Sequence, residues 1–168
     1  MTYQTNLLSM KRNTLLYTIA GLLSFSIWCS CSSTEAPSPT AIEEARQAIA
    51  ESNAIYFQAF AKGDSSLFID RYAEDCCIMA PESPALCGPT APLDFFRAAY
   101  YQFGLRNGKF ITTNIFGDGK DFVTEEGLWQ SFDVNNHLFD DGKFLVLWKK
   151  TSRGWKMFRD SFSSNRRK

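Results

Sequence analysis

The apolar residues of this chain change their period once, near Gly108, and that switch restricts the fold more than any other feature. Between Ala41 and Ala61, the positions Ile42, Ala45, Ile49, Ile55 and Phe60 recur among charged residues at near-helical spacing, which predicts a helix with one buried face. Gly63 ends it. Asp64 caps a short second helix over "SSLFIDRYA", where Leu67, Phe68, Arg71 and Tyr72 keep the i, i+3, i+4 interval. A short strand, "CCIMAP", is closed by Pro81. A turn-rich piece with Pro84, Gly88 and Pro89 then leads into a third helix over about 91–103, with Phe95, Phe96, Ala99, Tyr100 and Phe103 as its apolar stripe. Beyond Gly108, segments near 109–116, 122–133, 137–150 and 155–163 are rich in β-branched and aromatic residues. "GDGKD", "DVNN" and "TSRG" separate them as turns, and "DDGK" either kinks the third of these strands or delays its start. Helices first and meandering strands afterwards predict an α+β domain, with one antiparallel sheet wrapped around helices.

The N-terminal segment reads as a targeting device. Lys11 and Arg12 precede an apolar stretch from Leu15 to Trp28 that is short for a membrane span but suits a signal h-region. Met10, in "MKRN", is an alternative initiator. The stretch runs into "CSCSS", which resembles the bacterial lipoprotein box. Cys31, preceded by the small Ser30, is the expected lipidated residue, with Cys29 the alternative; an ordinary secretory signal is the competing reading. The expected organisation is a signal over 1–30, a disordered tether over 31–41 that includes "SSTEAPSPT", one domain over 42–165, and a basic tail at 166–168. Such a chain is exported across the inner membrane and held there as a periplasmic or outer-membrane lipoprotein.

Eighteen basic and eighteen acidic residues cancel, which argues against a general nucleic-acid binder. With no CxxC pair and one histidine, no metal site is expected. No glycine loop for phosphates and no GxSxG is present, and no cofactor is implied. Cys76, Cys77 and Cys87 sit in a disulfide-permitting compartment. On a strand the first two point to opposite faces, so at most one of them approaches Cys87.

The segments "YFQAFAKGD", "RYAEDCCIMAP", "LCGPTAPLDFF", "EEGLWQ", "GKFLVLWKK" and "GWKMFRDSFSSN", in that order and spacing, resemble the nuclear transport factor 2-like superfamily, nearest its SnoaL-like and ketosteroid-isomerase-like domains. The resemblance covers about residues 42–165. It implies a cone-shaped, cystatin-like barrel in which three helices pack within a curved, mainly antiparallel sheet around an apolar pocket, often as a homodimer formed sheet to sheet. Isomerases of this type use a first-helix tyrosine as oxyanion donor, a carboxylate just before the first-strand proline as base, and a protonated aspartate on a later strand. Tyr56 matches the tyrosine. Ala80 stands where the base is expected, and Val146 or Leu147 where the second acid is expected, so ketosteroid isomerisation is rejected.

Asp160 is the acid that remains. Under strict alternation Phe158, Asp160 and Phe162 share one face, while Trp155, Met157, Arg159 and Ser161 share the other; a bulge would invert this parity. An acid between aromatics on a concave face has a raised pKa and is a candidate catalyst with Tyr56. Alternatively, it is a structural acceptor for a tyrosine hydroxyl, a tryptophan N–H or an arginine from the helices. Tyr72, Tyr100, Trp129, Trp148, Phe158 and Phe162 are candidate pocket-lining residues for a small apolar or amphipathic ligand. Glu82 is a candidate replacement base at the mouth. Of Glu125 and Glu126 one can face inward, with a rim position expected, and His137 is read as a surface residue. Three functions remain open: a small-molecule binding module, an acid–base enzyme (dehydratase, cyclase, isomerase or hydrolase), and an assembly domain with a vestigial pocket.

Overall fold

In a computed structural model the described residues are 39–166. The expected signal, the lipidated Cys31, most of the tether, and the tail residues Arg167 and Lys168 lie outside them. The element order is α1 (Pro39–Lys62), α2 (Ser65–Ile69), β1 (Tyr72–Met79), β2 (Leu86–Cys87), α3 (Ala91–Arg97) continued by a π-helical turn (Ala98–Gln102), then β3 (Asn107–Gly117), β4 (Phe122–Phe132), β5 (Leu138–Thr151) and β6 (Gly154–Ser164). The strands form one six-stranded sheet in the order β2-β1-β6-β5-β4-β3. All neighbours pair antiparallel except β1 and β6, which run parallel. Helices packed on one face of a curled, open sheet make this the α+β, cystatin-like architecture.

The local chemistry explains these elements and four departures from the expected ones. α1 begins at Pro39, inside the stretch expected as tether, because the fixed φ of proline suits a first helical turn. α2 ends at Ile69 and does not reach Tyr72. The buried Lys156 ammonium bonds the Asp70 carbonyl, and the Met157 N–H bonds the Arg71 carbonyl at 2.9 Å, so β6 captures the chain before another helical turn forms. Tyr72 therefore opens β1. In the third helix, the Phe103 N–H bonds the Ala98 carbonyl five residues back, and this wider turn rotates Phe103 off the stripe to 70% exposure while Leu105 is buried instead. "DDGK" lies within a continuous β5, whose irregularity falls one residue earlier: Asp140 pairs with Ser131 and Leu138 with Phe132, which leaves Phe139 as the extra residue.

The core is aromatic. Phe60 and Phe68 are fully buried, Phe60 stacks on Phe96 at 4.8 Å, and Phe68 meets Tyr56 at 4.9 Å and Tyr72 at 5.1 Å. Each such side chain contributes about 1.5–3 kcal/mol by burial. Cys77 lies directly across from Cys87 in the β1–β2 ladder and is bonded to it; Cys76, on the opposite face, is buried with a free thiol whose pKa burial pushes up to about 11.

Two predictions follow from this packing. A Cβ on Gly142 would lie 1.8 Å from the Ser163 carbonyl oxygen on β6. Gly142→Ala is therefore expected to lower stability by about 3 kcal/mol, read as a reduced urea midpoint at unchanged slope. Opening the Cys77–Cys87 bridge, which spans a separation of 10 residues, should cost about 2.5 kcal/mol when the Cys87→Ala variant is melted beside the parent protein.

Candidate functional site

One row of residues crosses the inner face of the sheet. The registers place Ile115 of β3 opposite Glu125 of β4, Glu125 opposite Val146 of β5, Val146 opposite Asp160 of β6, and Asp160 beside Ile78 of β1. All five are buried. Two carboxylates thus flank Val146, which with Leu147 is one of the two places where an acid was expected and is missing. Strand spacing sets their backbones roughly 9–10 Å apart.

Asp160 faces inward because β6 carries a bulge. Leu147 pairs with Arg159 but Trp148 pairs with Met157, which leaves Phe158 as the extra residue. Strict alternation therefore fails. Met157 and Asp160 both point into the core, whereas Phe158 turns to the other face, under the Arg159 guanidinium at 3.6 Å and the Lys149 ammonium at 4.9 Å. The expected grouping of Phe158 with Asp160 and Phe162 is corrected accordingly, and Phe158 lines no interior pocket.

The Tyr72 hydroxyl donates to Asp160 Oδ2 at 2.7 Å, and the Tyr56 hydroxyl interacts in turn with that of Tyr72. Asp160 is only 6% exposed. Burial raises its pKa to about 6; the Tyr72 bond opposes the rise and the charge of Glu125 adds to it. Burial and the Asp160 charge drive both phenols well above their ordinary range, so they are neutral donors. Glu125, expected at a rim, is 1% exposed. Its Oε1 accepts from Asn53 Nδ2 at 2.7 Å and Thr112 Oγ1 at 2.5 Å, and its Oε2 accepts from Trp148 Nε1 at 3.0 Å. Burial raises its pKa, and those three donors oppose the rise.

The other sequence candidates divide sharply. Tyr56 is walled by Phe57, Phe60, Phe68 and Phe110, with ring centroids 4.8–5.8 Å away. Tyr72 and Trp148 are hydrogen-bond partners of the acids. Trp129 is 8% exposed; its indole nitrogen lies against Gly142 without a hydrogen-bond partner, and its ring meets Phe162 edge-on at 5.7 Å. Tyr100 stacks on Phe96 at 5.5 Å and carries the Arg106 guanidinium 3.7 Å above its ring. Phe162 is half-buried against Phe95 at 5.9 Å. Glu82 sits in the turn after Pro81 with a positive φ of 55°, Glu126 is on the outer face, and His137 is exposed beside Asp133. Among the described residues, no group of three or more His, Cys, Asp or Glu side chains is placed to hold a metal ion.

An acid with pKa near 6 bonded to a phenol has the chemistry of a general acid–base pair. A groove of about 430 Å³ runs between α1 and β3, and a depression of about 520 Å³ lies on the outer face of the sheet; neither is bounded by Asp160, Tyr56 or Tyr72.

Solved structures with this architecture were found by comparison. An NTF-2-like protein of unknown function from Shewanella oneidensis matches at TM-score 0.60 and 17% identity, over 71% of this chain and 98% of that one. A ketosteroid isomerase-like protein from Erwinia carotovora atroseptica matches at 0.58 and 16%, over 72% and 96%. The type 2 hexachlorocyclohexane dehydrochlorinase LinA matches at 0.60 and 17%, over 77% and 90%. No family model and no curated protein matches the chain. These likenesses establish the nuclear transport factor 2-like, cystatin-like fold.

The two inner acids give an inverted pH response. Unfolded, Asp160 titrates near 4; folded, near 6. Between those values the folded state holds the extra proton, so this group stabilises the fold at low pH and its contribution falls as pH rises from 4 to 6. The full effect is about 3 kcal/mol. Urea unfolding of wild type and Asp160→Asn at pH 4 and pH 7.5 should show a difference between the two proteins that changes by this order. Tyr72→Phe, by removing the bond that favours the carboxylate, should move the transition to higher pH.

Proposed function

We propose that this chain is a membrane-tethered assembly domain that pairs with a second copy through the outer face of its sheet, its interior having become a polar-cored scaffold. The observation that carries this reading is where the unsatisfied apolar surface lies. Inside, rings fill the space around Tyr56 and every oxygen-bearing group of the Tyr56–Tyr72–Asp160 chain is engaged. Outside, Ile111, Leu128 and Leu145 are 41%, 45% and 50% exposed. Ile111 lies directly opposite Leu128, and Leu145 stands diagonally from Leu128 across the β4–β5 ladder. A continuous aliphatic row on three adjacent strands is costly to leave in water. It is flanked by both an acid, Glu126, and a base, Lys143, a composition suited to a self-complementary two-fold contact. On this reading the signal and Cys31 hold the domain at a membrane after export, and the tether gives two copies the freedom to meet.

A second reading, a small-molecule binder or an acid–base enzyme using Asp160 and Tyr56, draws support from the carboxyl that titrates near 6 beside a neutral phenol. The dehydrochlorinase with this fold is an enzyme, which keeps chemistry within reach of the scaffold. That reading requires the interior to open, because Asp160 is 6% exposed. Ala80 at the base position leaves ketosteroid isomerisation unsupported.

The protein is expected to sediment as a dimer, and Leu145→Asp to sediment as a monomer with wild-type circular dichroism. A monomeric wild type at tens of micromolar would sink the assembly reading. A small molecule retained in native mass spectrometry, and lost on Asp160→Asn at unchanged stability, would establish the second reading in its place.

A further inference from the structure

The sheet edge at β3 is covered over only part of its length. Toward the end of the strand, Arg46 of α1 donates to the Ile115 carbonyl at 2.7 Å, and Gly119 comes so close to α1 that a Cβ there would lie 2.9 Å from the Ile42 nitrogen. Over residues 107–112 α1 lays the Phe57 ring on the inner face, 2.2 Å from where a Cβ on Gly108 would lie. The Gly108 N–H is bonded by its own neighbour, the Asn107 side chain, and among the described residues no α1 side chain bonds the backbone of this half-strand. The bulge between Thr112 and Asn114 separates the covered half from the uncovered one.

The groove of about 430 Å³ follows this uncovered half. On its helical side Ala50, Ala54 and Ala61 are exposed and short, leaving space between α1 and the strand; on its floor the rings of Phe57 and Phe110 lie 4.9 Å apart. A single charged residue lines it. That residue, Lys109, makes no ion pair among the described residues, and no acid lines the groove. Asn53 also lines it. Glu125 holds the Asn53 Nδ2, and the Asn53 Oδ1 is left as a buried acceptor without a partner.

We propose that this groove binds an extended, acidic segment of a partner polypeptide, which adds as a seventh strand to the edge of β3. A sheet edge beside a helix face of small residues supplies main-chain bonds along its length and room for alternate side chains, the geometry of strand addition. The charge argument selects the sign of the partner: a lysine unopposed by any lining acid favours a carboxylate. The groove opens on the α1 side of β3 and shares with the outer-face row only the half-strand that carries Ile111; Leu128 and Leu145 lie on the outer face alone, so Leu145→Asp separates this site from dimerisation.

The test uses the full-length chain in detergent and a displayed library of random heptapeptides. The expected result is a selected family carrying Asp or Glu, whose synthetic members bind at least tenfold more weakly to Ala54→Glu and to Lys109→Glu, and at unchanged strength to Leu145→Asp. Methylating alternate backbone nitrogens of the peptide should weaken it at least tenfold on one register and leave the other register unaffected. Ala54 is exposed on a helix, so its replacement spares the fold, and circular dichroism checks this. The proposal is overturned if no peptide is selected, which would make Lys109 only a guard against edge pairing. It is also overturned if the selected peptides ignore Ala54→Glu, or if that variant instead abolishes self-association.

Discussion

The bond from the Tyr72 hydroxyl to Asp160 fastens the parallel seam of the sheet. β1 and β6 are the two strands whose pairing spans the longest stretch of chain, and Tyr72 and Asp160 are 88 residues apart in sequence. Their ladder is irregular between Tyr72 and Cys77, so the seam depends on side chains where its backbone bonds are interrupted. Replacing Tyr72 by phenylalanine leaves the Asp160 carboxyl buried without this donor, at a cost of about 1–3 kcal/mol. Burial at this anchor raises the Asp160 pKa to about 6, and the same bond opposes the rise.

The inner row also explains how the fold departs from the isomerase pattern that its sequence resembles. That pattern places one acid on a later strand and another before the first-strand proline. Here the first place is Val146 or Leu147 and the second Ala80, yet Glu125 and Asp160 appear one strand to either side of Val146, in the same row. The row thus keeps carboxyl oxygens at that depth of the core, both oxygens of Glu125 tied to amide, hydroxyl and indole donors and Asp160 Oδ2 to a phenol. Polar satisfaction of this kind specifies a single packing and leaves little freedom for a substrate.

Much of this was legible in the residues. The apolar spacing of 42–60 predicted α1, and the four β-rich segments predicted β3 to β6 to within a few residues, because long periodic runs leave little ambiguity. Tyr72 was misplaced on a helix because "LFIDRY" has helical spacing, and the competing pull came from Lys156 and Met157, more than 80 residues away. The parity of β6 failed at Phe158, since a bulge is set by how two strands twist together and not by either alone. Glu125 could have been read from Val123, Trp129 and Ser131, which share its parity and are buried with it; the adjacent Glu126 obscured the choice. The filling of the interior was not legible, because the same rings that line a pocket also close one.

The pairing of Cys77 with Cys87, beside a free Cys76, bears on how the chain matures. During oxidative folding Cys87 meets two adjacent thiols, and only one of the two possible bridges is compatible with β1 in its native alignment. The wrong bridge would fix the strand one step out, turning every side chain of β1 to the opposite side and presenting Cys77 to the aromatic interior. Formation of the correct cross-link therefore fixes strand alignment: in a misbridged molecule the adjacent free Cys77 thiolate can attack the Cys76–Cys87 bond at the Cys87 sulfur, releasing Cys76 as the thiol and restoring the native pair.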